Sequence, residues 1–418
     1  MDLDAYRARA QAFATDLNRA HHRRFAGHDG AWDPDSLYAH HAAVFDDRAI
    51  DALREAAARE GAEDDGVRRL LRFAVEARLG RATARTDAER ARVEAADGLA
   101  DLTARLADEP ALAKRIELEE ARLDVVARRL TPLAAEGLER VRAEARALGW
   151  ASPRALLATI QGQDPGVIAA QAEALLRETE PPSLGAETTA RFDLPRLHRA
   201  AWADAVLPGD PVQHLRQRLR ALELPVSGFA IDAAPRAGKS PRAFCAAIDV
   251  PRDVHLVVAP RGGLADLEAL FHEAGHAIHL AHRDPQAPFE DRHLTDRAHA
   301  EALAFALEAH ATDGIADQRL QEHRQALQQL RQRQLAAALL HALDLLDAGP
   351  HPALRERYAQ RHAAATGLTW PSAPWLVAAD PLLTAADYLR ALAQVRAYAG
   401  SGNAPALSSA LTGQPAPG

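Results

Sequence analysis

Two histidines and a glutamate lie in one short stretch of the chain at a spacing suited to metal chemistry. His272, Glu273 and His276 form the pattern His-Glu-x-x-His within a run of helix-forming residues. On a helix, residues four apart lie about 40° apart around the axis and one turn along it, so both imidazoles can bind one ion. Glu273 projects in a neighbouring direction, where its carboxylate can take a proton from water without binding the metal. The stretch therefore predicts a zinc centre with an adjacent general base.

The helix that carries this motif is predicted to be buried. Apolar side chains recur along it at helical spacing, at Leu267, Leu270, Phe271, Ala274 and Ile278. Buried polar groups need partners because an unpaired group is costly, and a metal ion is the simplest partner for this set. Gly275 lowers helix propensity by roughly 1 kcal/mol against alanine, which is explained if a second backbone passes close by. The alternative, a surface helix with a solvated His/Glu face, is disfavoured by the apolar stripe.

A third protein ligand is expected after the motif, since catalytic zinc usually has three. The acidic candidates that follow the motif are Asp284, Glu290, Asp291, Asp296, Glu301 and Glu308. Glu301 is preferred because it lies in the middle of a largely apolar helix predicted over residues 295–310, where a carboxylate needs a cation. Asp296 is the alternative, although an acid near a helix start is already favoured by the helix dipole. Glu308 shares the face of Glu301 and can orient a ligand histidine, or else pair with an arginine.

Two further histidines follow on the motif helix. His279 shares the face of His272 and His276 and is expected to line the site, whereas His282 is expected to cap the helix end. The helix is predicted to stop at residues 282–285, where a basic last turn meets a proline, and a polar loop is expected after it.

A small β-sheet is predicted directly before the motif helix. Its strands are expected over residues 226–232, 243–250 and 254–259, and residues 251–253 connect the last two as a hairpin. In the last strand, Val254, Leu256 and Val258 would face one side. An edge strand beside the predicted zinc centre can bind an extended peptide as an added strand, but the sheet can equally serve only to support the helix. Both interpretations remain open.

The rest of the chain is predicted to be mainly α-helical. Residues 1–180 show helical periodicity, with breaks at residues 161–166 and 180–183. The expected division is an N-terminal helical lobe over residues 1–185, a catalytic region over residues 186–400 with the small sheet, the zinc-binding helices and the C-terminal helices, and a polar tail over residues 401–418.

Composition and charge exclude several classes of partner. The net charge of the 418 residues is −8, so a nucleic-acid partner is not expected. Cys245 is the only cysteine, which excludes an internal disulfide and a cysteine-based metal site. The acidic start lacks the apolar core of a secretory signal, and the most apolar stretch, residues 335–346, is too short to cross a membrane. A soluble cytoplasmic protein without a membrane partner is expected, and a monomer is compatible with the sequence.

The motif region resembles a known family. The stretch Phe271-His272-Glu273-Ala-Gly275-His276-Ala-Ile-His279 is similar to the active-site helix of the thimet oligopeptidase and oligoendopeptidase F family of zinc peptidases. That helix also has a glycine before the second zinc histidine and a further histidine three residues on. In the family the third ligand is a glutamate on a following helix, and Glu301 matches its spacing. Upstream, the stretch from Gly238 to Cys245 is similar to the family segment that leads into its sheet. The similarity covers roughly residues 225–400.

This resemblance implies a two-lobed helical fold around a deep channel and a zinc metalloendopeptidase that cleaves short peptides. One Zn²⁺ would be held by His272, His276 and Glu301, with Glu273 as general base. The family also places histidine and tyrosine side chains in a C-terminal segment, of which this chain keeps Tyr388. Tyr388 would donate a hydrogen bond to the oxyanion, with Tyr398 and Tyr358 as weaker substitutes.

Two other functions remain open. The altered C-terminal segment is compatible with a zinc hydrolase that acts on another amide. A non-catalytic helical scaffold that keeps only the fold is the third possibility, and the intact motif with Glu301 argues against it.

Overall fold

A computed structural model describes residues 1–28, 33–60, 65–185, 187–399 and 404–412 of the chain, and these residues are mainly helical. The helices are α1 (Leu3–Phe25), α2 (Pro34–His40), α3 (Asp47–Glu60), α4 (Asp65–Ala96), α5 (Leu99–Asp108), α6 (Leu112–Val125), α7 (Thr131–Ala147), α8 (Pro153–Gln161), α9 (Pro165–Glu178), α10 (Leu194–Arg199), α11 (Pro211–Ala221), α12 (Leu264–Ala281), α13 (Phe289–His293), α14 (Arg297–Ala309), α15 (Gln318–Ala348), α16 (Ala353–Thr366), α17 (Thr384–Ala399) and α18 (Ala404–Thr412). A π-helical turn at Val126–Leu130 joins α6 to α7. The prediction of a mainly α fold is confirmed.

The predicted breaks fall where helices end. Helix α8 ends at Gln161 and α9 begins at Pro165, whose preceding residue, Asp164, caps the new helix with its side chain. Proline suits a first helical turn because the amide proton that it lacks would have no partner there. Helix α9 ends at Glu178, just before the expected break at residues 180–183.

The chain forms two compact units. One contains the described residues within 1–75, 202–316 and 390–418, and the other contains those within 76–201 and 317–389. Neither unit is continuous in sequence, unlike the expected division after residue 185. The N-terminal residues belong with the motif helix because α1 packs against the sheet and Arg7 pairs with Glu290 at 2.5 Å.

Three strands form the small sheet of the first unit. They are β1 (Ala230–Asp232), β2 (Phe244–Asp249) and β3 (Asp253–Val257), in the spatial order β1-β3-β2. Strand β3 lies parallel to β1 and antiparallel to β2, with Cys245 opposite Leu256 and Ala247 opposite Val254. The predicted hairpin between the last two strands is confirmed, and β2 is an edge strand.

The hydrophobic core of the first unit forms around α12. The predicted apolar stripe is confirmed, since its residues are each at most 3% exposed: Leu267, Leu270, Phe271, Ala274 and Ile278. Val254, Leu256 and Val258 of the hairpin face this core, together with leucines of α11 and α14. Gly262 and Gly263 turn the chain from the sheet into α12 with φ values of 95° and 87°. Residues that have a Cβ atom rarely adopt these values.

Helix α18 lies in the segment that was expected to be a polar tail. Its Leu407 and Leu411 are buried in the same core as α12, and apolar burial of this kind explains why the segment is helical. Residues 400–403 and 413–418 lie outside the described part of the chain.

The second unit is built around the long helix α15, which contacts α9 and α16. Arg333 of α15 is buried and donates hydrogen bonds to the carbonyl oxygens of Ala365 (2.6 Å) and Leu176 (3.1 Å), tying the three helices together. Within the described ranges, no helix combines the length and the apolar character needed to cross a membrane.

Candidate metal centre

His272, His276 and Glu301 converge at the contact between α12 and α14. One ligand atom from each lies within 4.8 Å of the others. The Oε2 atom of Glu301 is 3.2 Å from Nε2 of His272 and 3.6 Å from Nε2 of His276. Within the described part of the chain, this buried oxygen accepts no hydrogen bond. Two imidazole nitrogens and one carboxylate oxygen thus face one another, an arrangement that a cation satisfies.

Close packing of the two helices brings Glu301 to the histidines. Gly275 lies against α14, and a Cβ atom placed on it would be 2.7 Å from the Cα of Ala304. The sequence-based explanation of Gly275, a second backbone passing close by, is confirmed. Glu301 lies one helical turn before Ala304, so this backbone contact fixes its distance from His272 and His276.

The ring of His272 is held from two sides. Its Nδ1 atom lies 3.0 Å from Oε2 of Glu308, and its ring packs against Phe305 with centroids 4.8 Å apart. A carboxylate on one ring nitrogen holds the proton there and leaves the other nitrogen free to bind a metal. Of the two partners considered for Glu308, a histidine and an arginine, the structure places His272 next to it.

The carboxylates around His272 dominate its electrostatics. Burial alone lowers the pKa of His272, but Glu301 and Glu308 outweigh burial and raise that pKa to about 9. Burial alone would raise the pKa of Glu301, but His272 and His276 outweigh burial and lower that pKa to about 2. The cluster therefore carries negative charge that favours a bound cation.

The carboxylate of Glu273 contacts the edge strand β2. Its Oε2 atom accepts a hydrogen bond of 2.8 Å from the backbone N–H of Cys245 in β2. Cys245 is partly buried, and desolvation of its thiol together with the charge of Glu273 raises the pKa of the thiol. The base candidate is thus positioned by the sheet, while the ligand candidates are positioned by α14.

The other acidic candidates for a third ligand have different partners. Asp296 caps α14 by accepting from the N–H of Ala298 (3.1 Å), and it pairs with Arg390 at 2.8 Å. Glu290 accepts hydrogen bonds from Arg7, and Asp291 pairs with Arg69 at 2.6 Å. Asp284 accepts from the N–H of Gln286. None of these carboxylates belongs to the His272 cluster among the described residues.

The two later histidines of the motif helix differ in their surroundings. His282 caps α12, with Nδ1 2.9 Å from the carbonyl oxygen of Ile278, as predicted. His279 is buried and contacts Arg283, and its ring lies 6.0 Å from that of His299. Burial, followed by the charge of Arg283, lowers the pKa of His279 to about 3. His279 therefore packs as an uncharged core residue.

The candidate tyrosines belong to other parts of the fold. Tyr388 is half-buried on α17, in the part of that helix that belongs to the second unit. Tyr358 is buried in the second unit, where its hydroxyl accepts a hydrogen bond of 3.1 Å from Nε1 of Trp370. The side chain of Tyr398 lies outside the described residues. The oxyanion role of Tyr388 stays a prediction.

Comparison with known proteins identifies the fold. No protein-family model matches the chain, and a search of curated protein sequences gave no match. Among solved structures, it resembles a putative oligoendopeptidase F from Bacillus anthracis str. Ames, with a TM-score of 0.57 and 13% identity over 97% of this chain and 84% of that one. A second putative oligoendopeptidase F gives a TM-score of 0.56 and 17% identity, covering 97% and 85% of the two chains. The chain shares the fold of these peptidases.

A third structure supports the same conclusion. Trypanosoma cruzi metallocarboxypeptidase 1 gives a TM-score of 0.52 and 13% identity, covering 98% of this chain and 90% of that one. The likeness therefore extends over nearly the whole of this chain, including the N-terminal half, where the sequence showed only generic helices.

One part of the site was not predicted from the sequence. A cavity of about 390 Å³ lies between α1 and β2 and reaches Glu273. Asn18, His21, His22 and Phe25 of α1 line it. These residues precede the motif by about 250 positions, and nothing in their local pattern distinguishes them from other helical residues. Only the packing of α1 on β2 could have pointed to them.

Proposed function

We propose that the protein is a zinc-dependent metallopeptidase that hydrolyses peptide bonds in short peptides. The observation that carries this proposal is the convergence of His272, His276 and Glu301 within 4.8 Å, on the helix that also carries Glu273 and on its neighbour. The fold shared with peptidase structures supports it.

The donor set fits zinc. Two imidazole nitrogens and one carboxylate oxygen are the ligands of a well-known class of catalytic zinc site, which keeps a further position open for water or substrate. The buried Oε2 atom of Glu301, which accepts no hydrogen bond from any described residue, supports the assignment. A zinc ion at such a site polarises the scissile carbonyl and lowers the pKa of water.

Glu273 is assigned as the general base. Its Oε2 atom is engaged by the N–H of Cys245, so Oε1 is the atom assigned to take the proton of the attacking water. The same carboxylate then returns this proton to the leaving amine. The hydrogen bond from the rigid strand limits rotation of the carboxylate and holds it ready for both transfers.

An extended peptide is assigned to the edge strand β2. This strand borders the cavity beside Glu273, and main-chain hydrogen bonds to an edge strand bind peptides with little regard to side chains. Of the two roles considered for the sheet, this position beside the base supports substrate binding. Tyr388 is assigned, from its place in the family pattern, to donate a hydrogen bond to the developing oxyanion.

Zinc content and turnover of internally quenched short peptides test the proposal. We expect about one zinc per chain, and turnover that falls about 10³-fold in Glu273→Gln while zinc is retained. His276→Ala should lose zinc, whereas His282→Ala, a matched change on the same helix outside the cluster, should keep zinc and activity.

The outcomes separate the remaining functions. Stoichiometric zinc with no turnover of any peptide, but with turnover of another amide, would assign the protein to a different class of zinc hydrolase. Neither zinc nor turnover in wild type would leave a helical scaffold.

A further inference from the structure

We propose that Asn18 limits how far a peptide extends along β2, so that substrates have only a short segment on that side of the scissile bond. The inference rests on the proposed peptidase function. It concerns the cavity between α1 and β2, which is about 390 Å³ in volume and has Glu273 in its lining.

The direction of the backbone groups of β2 follows from the contact with Glu273. The N–H of Cys245 donates to Glu273, so it points away from β3. In an antiparallel pair, hydrogen-bonded and non-hydrogen-bonded residues alternate, so Ala247 also presents its backbone groups to the open edge. The carbonyl oxygen of Ala247 does accept a hydrogen bond from outside the sheet, from Nδ2 of Asn18 at 2.7 Å.

Cys245 and Ala247 each direct one N–H and one C=O to the open edge, and two of these four groups are therefore occupied. The base takes the N–H at Cys245, and α1 takes the C=O at Ala247. Within the described part of the chain, the C=O of Cys245 and the N–H of Ala247 remain as a pair to which an added strand can bond. Beyond Ala247 the regular register ends, because β2 is irregular between Ala247 and Asp249. A peptide can therefore pair over a short stretch before it meets α1.

Helix α1 is fixed firmly enough to act as a barrier. At its C-terminal end, the carbonyl oxygen of Phe25 accepts from the N–H of Ser240 (2.7 Å), and that of Ala26 accepts from Nε of Arg236 (2.9 Å). Near its start, Arg7 donates to the buried Glu290. Anchors at both ends hold Asn18 in place against the strand.

Peptide length provides the test. Two series of internally quenched peptides share one cleavable core and are lengthened one residue at a time, one on the N-terminal side and one on the C-terminal side. For wild type we expect kcat/KM to fall about tenfold in one series once the peptide outgrows the cavity. Asn18→Ala should remove most of this fall, and Asn18→Asp, which keeps the size but loses the donor, should reduce it. Arg19→Ala, an exposed change on the same helix, should leave the profile as in wild type.

The length profile compares substrates of one enzyme, so a general loss of stability or activity does not change it. Identical profiles for wild type and Asn18→Ala would overturn the proposal, as would an equal change in Arg19→Ala. If wild type cleaves no peptide, the proposed function fails. Binding of the same labelled peptides to wild type and to Asn18→Ala, measured by fluorescence anisotropy, then tests the role of Asn18. If both proteins bind peptides up to the same length, the proposal is overturned.

Discussion

Gly275 and Ala304 bring the backbones of α12 and α14 into contact. The position that a Cβ atom would take on Gly275 is 2.7 Å from the Cα of Ala304 and 3.3 Å from its backbone nitrogen. Real Cβ atoms do not approach a backbone this closely, so residue 275 has no room for a side chain. The spacing of these two helices, and with it the distance from Glu301 to the histidines, depends on this glycine.

Gly275→Ala should therefore destabilise the protein by about 2 kcal/mol, because the added methyl group forces the helices apart. In a helix without such a contact the same change would stabilise by roughly 1 kcal/mol, so the sign is diagnostic. The Tm from thermal unfolding and the affinity for zinc should both be lower than in wild type. Ala304→Gly should not rescue the variant, since the clash is with the Cα atom. A rise in Tm for Gly275→Ala would contradict the close approach.

The choice of Glu301 as the third ligand predicts that substitutions of Glu301 and of Asp296, the N-cap of α14, differ in their effect on zinc binding. Glu301→Ala should lose stoichiometric zinc, as measured by metal analysis after dialysis. Asp296→Ala should keep zinc and lose about 1 kcal/mol of stability, because Asp296 caps the helix. Zinc retained in the first variant and lost in the second would reverse the assignment.

Glu308 should raise zinc affinity without binding the metal. Its carboxylate holds Nδ1 of His272 at 3.0 Å, and removal of such a partner typically costs 10- to 100-fold in metal affinity. Competition with a chelating dye should show a loss of about this size in Glu308→Gln. Unchanged affinity would make the contact merely structural.

Tyr388→Phe tests the oxyanion assignment. Loss of one hydrogen-bond donor to a developing oxyanion lowers kcat about 10²-fold while KM changes little. Tyr358→Phe serves as the control, since the Tyr358 hydroxyl contacts Trp370 and should affect stability rather than kcat. Equal kcat in wild type and Tyr388→Phe would remove Tyr388 from the mechanism.

The ion pair between Asp232 and Lys239 should make the free energy of unfolding depend on pH in the acid range. Burial alone would raise the pKa of Asp232, but Arg236 and Lys239 hold it below its ordinary value of 3.8. Its stabilising contribution is therefore complete above about pH 5 and is lost as pH falls below 3.8 towards the lower folded-state pKa.

Urea unfolding at several pH values measures this dependence. Asp232→Asn should cost about 2 kcal/mol at pH 7, because the side chain of Lys239 is buried and loses one charged partner. The difference from wild type should shrink between pH 5 and pH 3. Arg252→Gln removes a more exposed pair with Asp249 and should change stability by less than about 1 kcal/mol at any pH. A constant difference for Asp232→Asn across this range would contradict the linkage.

The sequence was most informative where function and burial impose local patterns. The stripe from Leu267 to Ile278, the hairpin before it and the position of Glu301 on a following helix each follow from periodicity over fewer than twenty residues. The short helix α13, which falls where a polar loop was expected, shows no such pattern. It is stabilised by buried contacts to distant residues, such as that of Glu290 with Arg7.

Contacts between distant segments explain what sequence analysis missed. Asn18 and Ala247 are 229 residues apart and meet only because α1 packs on the edge strand. The C-terminal segment was expected to be a polar tail because small and polar residues surround Leu407 and Leu411. Its helix forms because those two side chains reach the core beside α12.

The position of α18 also determines when the core beside α12 can close during synthesis. A nascent chain that ends before Ala404 already contains His272, Glu273, His276 and Glu301, but it lacks the leucines that cover part of the α12 core. Such a chain would expose apolar surface of the core beside α12. Closure of this core is therefore expected to follow the emergence of this last described helix from the ribosome, rather than that of the motif itself.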